Sequence, residues 1–207
     1  MACSFLTVSR SNSGSGSVRS ANSYRRRPIL LVAIFLSACS HHTDLPTLGS
    51  VPGFQLTDQT GQIFDSAQTL HNRVWIADFF FTNCPGPCPR MSSQMHQVQT
   101  ALAGTEVRLV SMTVDPARDT APVLAEYSKH FEAQPGVWFF LTGAQKDLHH
   151  LARDVFKLGN VDGTLDHSMR FTLIDRTGQI RSYYQTSEED AIPKLIADAR
   201  TLMGEAK

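Results

Sequence analysis

Cysteine is scarce in this chain, and no apolar run long enough to cross a membrane is present. Four of the 207 residues are cysteine: Cys3, Cys39, Cys84 and Cys88. With only one close pair, Cys84 and Cys88, a four-thiolate zinc site and an iron–sulfur cluster are both excluded. The apolar run Ile29 to Leu36 has eight residues, well short of the ~20 that a spanning helix needs. Acidic residues are missing from the first 38 positions, which carry five arginines (Arg10, Arg19, Arg25, Arg26, Arg27). An excess of positive charge is missing from the rest. Formal net charge is zero, and with those five arginines set aside 14 basic residues face 19 acidic ones, a net of −5. A mildly acidic domain without a basic stripe argues against a nucleic-acid partner.

What the N-terminus does contain is a positive stretch, a short apolar core and small residues, RRRPILLVAIFLSAC, the layout of a secretory signal. Its end, Leu36-Ser37-Ala38-Cys39, resembles a bacterial lipobox, in which cleavage leaves Cys39 at the new terminus carrying lipid. The alternative is a plain signal peptide with an incidental cysteine. The expected division is a lipoprotein-type signal at 1–38, a flexible tether at 39–50 and one folded domain at 51–207. His41 and His42 belong to the solvated tether. The mature chain then keeps Cys84 and Cys88 as its thiols in an oxidising compartment, where close thiols form disulfides unless reduced or metallated.

From residue 51 the pattern alternates. Phe54–Thr57 and Gln62–Phe64 flank Asp58-Gln59-Thr60-Gly61, a hairpin, and Leu173–Ile180 repeats the same turn chemistry. Val74 to Phe81 (VWIADFFF) is a strand buried on both faces, in which Asp78 needs a partner to offset its desolvation. The loop Asn83 to Cys88 follows, then a helix opened by Pro89 with Met91, Met95, Val98 and Leu102 on one face. The two methionines read as core rather than as copper ligands. Val107–Val114 and Val137–Leu141 are further strands. A helix capped at Asp119-Thr120 runs through Val123, Leu124, Tyr127 and Phe131. Asp147–Leu158 is a helix, Gly159–Ser168 a loop, and Arg170–Tyr184 a closing hairpin. A last helix spans Ser187–Leu202, with Glu188, Glu189 and Asp190 in its first turn. The order β-β-β-α-β-α-β-α-β-β-α predicts an α/β fold with a mixed central sheet flanked by helices and an N-terminal hairpin. The cysteines fall at the carboxyl end of a central strand, where such sheets place their sites.

Pro87 and Pro89 disfavour helical backbone at Gly86 and Cys88, so Cys84 ends the strand and Cys88 is expected at the helix N-cap. A helix start favours thiolate, but three prolines without N–H groups weaken that effect. Paired thiolates suit soft metals. Cu(I) is satisfied by three ligands, so one histidine among His71, His96, His130, His149, His150 and His167 would complete a site. Composition does not choose between them.

FFFTNCPGPCPRM, VSMTVDPARDTAPVLAEY and DHSMRFTLIDRTG, in that order, resemble the Sco/SenC family of copper-binding, thioredoxin-like proteins that serve cytochrome oxidase assembly. The resemblance covers about residues 51–185. It implies a thioredoxin-like fold, a copper ion held by Cys84, Cys88 and His167, and delivery to the copper-acceptor subunit of a terminal oxidase from the periplasmic face of a bacterial membrane. Asp166 would orient His167. A thioredoxin has a cis-proline facing its dithiol at the position of His167, whereas residues 159–170 contain no proline. The chain departs from the family at Pro85-Gly86-Pro87, where an acidic and an aliphatic residue are more usual, and at Asn83, often histidine. Neither change removes a ligand.

The competing reading is a thiol–disulfide oxidoreductase in which Cys84 and Cys88 keep an acceptor's cysteines reduced, itself recharged by a thiol reductant partner. Three residues between the cysteines, rather than two, weigh against it. A peroxidase, from FTNCP at a strand end, is more distant. A purely structural disulfide closing so short a loop contributes little stability.

Overall fold

The computed structural model describes residues 45–158 and 169–204. In chain order the elements are β1 (Gly49–Ser50), β2 (Gln55–Asp58), β3 (Ile63–Asp65), α1 (Ser66–Thr69), β4 (Trp75–Phe80), α2 (Pro87–Ala101), β5 (Arg108–Thr113), α3 (Ala121–His130), β6 (Trp138–Thr142), α4 (Gln145–His150) continuing into a π turn (Leu151–Val155), β7 (Arg170–Ile174), β8 (Gln179–Gln185) and α5 (Ala191–Gly204). The strands form one sheet in the order β1-β8-β7-β4-β5-β6-β2-β3. β4, β5 and β6 are parallel, and the remaining pairings are antiparallel. This is the mixed sheet with flanking helices that the sequence pattern predicts.

β4 lies between β5 and β7, and all six of its residues are buried. Its side chains alternate between two aromatic clusters. Phe79 packs edge-on against Phe156 with ring centroids 5.4 Å apart, and Trp75 meets the same ring at 6.1 Å. On the opposite face Phe80 lies 5.2 Å from Tyr127 and 5.5 Å from Phe140. Alternation along a doubly buried strand therefore produces two cores.

The two hairpin turns share one solution. Asp58 Oδ1 accepts from Thr60 N, Thr60 Oγ1 and Gln62 N, and Asp175 Oδ1 accepts from Thr177 N, Thr177 Oγ1 and Gln179 N. Gly61 and Gly178 follow with φ of 82° and 79°, the left-handed conformation that glycine adopts without strain. The carboxylate of each Asp-x-Thr-Gly-Gln turn thus satisfies the amides that tight reversal leaves over.

Five features differ from the sequence reading. The edge strand β1 and the single turn α1, capped by Asp65 Oδ1 on Ala67 N at 2.9 Å, are too short to leave a periodic signal. The helix expected over 147–158 starts at Gln145 and loosens into the π turn, where Phe156 N reaches back five residues to Leu151 O at 2.9 Å. That extra residue rotates Phe156 fully inward. α5 starts at Ala191, not Ser187, which leaves Glu188, Glu189 and Asp190 ahead of it. Pro193 is the reason: a helix begun at Ser187 would place it in the interior, where its ring clashes with the preceding turn. Finally, Val123 on α3 faces outward at 40% exposed.

Phe156 is the joint between the π turn and β4. Phe156→Ala is expected to lower unfolding free energy by about 3–5 kcal/mol, read as a reduced urea midpoint at unchanged slope.

Candidate metal centre at the end of β4

Beyond Phe80 the chain leaves the sheet, and Cys84 N turns back to Phe81 O at 3.3 Å. α2 then begins at Pro87 with Gly86 as its cap residue, so Cys88 is the second residue of the helix and not its N-cap. The sequence reading places the helix start too late. In a first turn the backbone N–H groups have no intrahelical acceptor, so the missing donors of Pro87 and Pro89 cost nothing there. Met91 and Met95 are fully buried, as core residues.

Cys84 and Cys88 are both reduced thiols, the first 8% exposed and the second 0%. They share a side-chain hydrogen bond. Burial pushes the Cys88 thiol far up, the contact with Cys84 adds to this, and a backbone hydrogen bond from Phe81 opposes it. Burial thus outweighs the helix start, and Cys88 holds its proton far more tightly than an ordinary thiol.

Below the thiols lies Asp78. Ser111, its register neighbour on β5, donates its hydroxyl to Asp78 Oδ1 at 2.6 Å, and Trp138 Nε1 donates to Ser111 Oγ at 2.9 Å. This relay is the partner that a carboxyl inside an apolar strand requires. Desolvation still dominates and raises Asp78 to about 7, with the Ser111 hydrogen bond pulling the other way. The Asp78 charge in turn adds to the upward push on Cys88. Tyr127 closes one side. Its hydroxyl shares a hydrogen bond with Ser92 of α2 at 3.0 Å, and burial raises it above the usual phenol range.

Such a pocket disfavours bare thiolates. A soft cation, which replaces both thiol protons and neutralises the thiolates, removes that penalty. The pair therefore suits capture of a soft metal or closure as a disulfide better than it suits a standing nucleophile.

The histidines divide clearly. His96 Nδ1 bonds Phe131 O at 3.0 Å, His150 Nδ1 pairs with Asp154 at 2.9 Å on an exposed surface, and the His130 ring rests against Phe131. His71 lines a cavity beside Trp75, at the opposite end of β4 from the cysteines, and His149 is half-buried on α4. Among the described residues, no group of three His, Cys, Asp or Glu side chains is arranged to hold a metal ion. None of these five histidines therefore joins Cys84 and Cys88. Cys39, Asp166 and His167 lie outside the described residues. One residue escaped the sequence reading: Asp119 does not cap α3, whose cap residue is Thr120, but turns inward beneath the cysteine loop.

The SCO1/SenC family profile matches residues 45–204. This chain belongs to the SCO1/SenC family. Among solved structures, a SCO1/SenC family lipoprotein from Bacillus anthracis str. Ames is 29% identical over 76% of this chain and 97% of its own, with a TM-score of 0.69. BsSco, described as having a disulfide switch and as a member of the Sco family of cytochrome c oxidase assembly proteins, is 28% identical over 79% and 98%, also at 0.69. Yeast Sco1 with copper bound is 27% identical over 75% and 94%, at 0.58. The SCO1/SenC fold is thioredoxin-like, and the sheet described above is its expression in this chain. Among the described residues no helix is long and apolar enough to cross a membrane.

Two measurements follow from the electrostatics. Iodoacetamide at neutral pH is expected to label Cys84 well ahead of Cys88, resolved by peptide mass spectrometry. Asp78 makes stability depend on pH. The folded protein keeps this proton up to about pH 7, whereas the unfolded chain releases it near 3.8. Unfolding within that window releases a proton, so the stabilisation is complete below the unfolded value and is lost as pH rises through the folded one. The loss is at most ~1.4 kcal/mol per pH unit. Urea midpoints of Asp78→Asn measured across the window are expected to lack this component of the decline.

Proposed function

We propose that this chain is a lipid-anchored copper carrier on the periplasmic face of a bacterial membrane. Cys84, Cys88 and His167 hold copper and pass it to the copper-acceptor subunit of a terminal cytochrome oxidase, at its binuclear copper site. The observation that carries this reading is the buried, mutually hydrogen-bonded thiol pair, whose Cys88 proton is hard to remove unless a soft cation takes its place. Copper bound to yeast Sco1 supports the choice of metal. The oxidase-assembly role of the family named for BsSco supports the acceptor, and the Bacillus anthracis lipoprotein supports lipidation at Cys39. Five of the six candidate histidines stand apart from the thiols, which favours His167, with Asp166 orienting its ring.

Loading releases the thiol protons, so affinity rises with pH. Release to the acceptor is ligand exchange: incoming donors replace Cys84, Cys88 and His167 one at a time, and the thiols take back their protons. Asp78 disfavours two bare thiolates at the moment the metal leaves, which assists that return.

The second reading is the thiol–disulfide oxidoreductase, favoured by the direct hydrogen bond between the thiols. His167 separates the two. In a Cu(I) titration of the anaerobically reduced domain against a competing chelator, His167→Ala and Cys84→Ser are each expected to weaken one-to-one binding at least ~100-fold, roughly 2.7 kcal/mol. Binding unchanged by His167→Ala would replace the carrier with the oxidoreductase.

A further inference from the structure

Asp119 is 0% exposed, and its carboxylate is held by two separate segments. Thr82 donates its backbone N–H to Oδ2 at 3.1 Å and its hydroxyl to Oδ1 at 2.5 Å. Thr113, the last residue of β5, donates its hydroxyl to Oδ2 at 2.5 Å. The carboxylate thus joins the loop before Cys84 to the end of β5 and to the entrance of α3. A buried carboxyl group that accepts three hydrogen bonds holds its donors in a fixed arrangement, since breaking one would leave a polar group unpaired away from water.

The cysteine loop is studded with proline. Pro85, Pro87 and Pro89 offer no backbone donors, and the turn at Cys84 N to Phe81 O is long at 3.3 Å. Cys88 is fixed by α2. Thr82, two residues before Cys84, is gripped twice by Asp119.

We propose that Asp119 is a positioning residue for the dithiol: through Thr82 it sets where Cys84 stands relative to Cys88, and so tunes both copper affinity and the reduction potential of the pair. The affinity half of this inference rests on the copper reading above, and the potential half does not. A loop released from Asp119 must be ordered when two thiols converge on one metal, which weakens binding. The same freedom lowers the effective concentration of one thiol at the other. The disulfide becomes less stable and the potential less negative.

Replacing Asp119 itself would disturb both threonines, so the test acts on Thr82. Thr82→Val removes one hydrogen bond and keeps the shape of the side chain, and Thr82→Ser restores the hydroxyl. Thr177→Val is the control, because it removes a like bond to Asp175 (2.7 Å) in the β7–β8 turn, at the end of β7 away from Arg170. Two quantities are read on folded protein: Cu(I) affinity against a chelator, and the equilibrium with glutathione. In the latter, one oxidised glutathione takes two electrons and two protons from Cys84 and Cys88, giving the intramolecular disulfide and two reduced glutathiones.

Thr82→Val is expected to weaken Cu(I) binding about tenfold and to lower the disulfide equilibrium constant about tenfold. Thr82→Ser should return to wild type, and Thr177→Val should move neither quantity. A Thr82→Val protein that is less stable to urea yet unchanged in both quantities would overturn the proposal, as would equal changes in Thr177→Val. Should the wild type bind no Cu(I), the copper reading falls while the glutathione equilibrium still decides the role of Asp119.

Discussion

A strand buried on both faces has to satisfy every polar group inside the protein, and β4 meets that condition with one unusual member. Asp78 sits among Ile76, Ala77, Phe79 and Phe80, all shielded from water, and is tolerated because Ser111 and Trp138 form a relay beneath it. The surroundings depend on this arrangement. β5 must present Ser111 at the matching rung, β6 must bring Trp138 within reach, and α2 must lie over the same face to bring its thiol into the field of the carboxyl. A buried polar group that is fully partnered specifies its neighbours more tightly than an apolar one, since a shifted register would leave it orphaned.

The electrostatics of the site follow from that placement. Cys88, Tyr127 and Asp78 are all pushed toward their protonated forms, burial being the largest cause in each case. With all three raised by burial, the small space between them resists added negative charge until a cation arrives. The protein resolves the opposing pull of helix start and burial in favour of burial, because Cys88 lies one step inside α2 and beneath its own loop. Proline at 87 makes that step available by beginning the helix early.

The sequence made much of this legible, for identifiable reasons. Strands buried on both faces leave continuous apolar runs, so β4 and β5 were plain, and the Met91, Met95, Val98 face of α2 was plain from its spacing. The Asp-x-Thr-Gly-Gln turns announce themselves through residue types with few other uses. Short elements and long-range polar contacts were not legible. One helical turn at Ser66–Thr69 has no period to detect, and a π turn shifts register by a single residue without altering composition. Asp119-Thr120 reads as the start of α3, and Thr120 is its cap residue, but the bond from Asp119 to Thr82, 37 positions away, leaves no local signal. Pairings of that kind reside in the topology and not in any window of sequence.

The outermost strands have a further consequence for how copies of this chain meet one another. β1 has two residues and β3 three, so these outermost strands themselves offer only a brief row of open backbone groups, while β8 runs on past β1 to Gln185. Ile63, 77% exposed, stands on β3 with too short a run on either side to template another strand. Sheets that end in such stubs resist edge-to-edge growth. At high local density, two copies of this fold that meet at β1 or β3 can touch there without zipping into a common sheet.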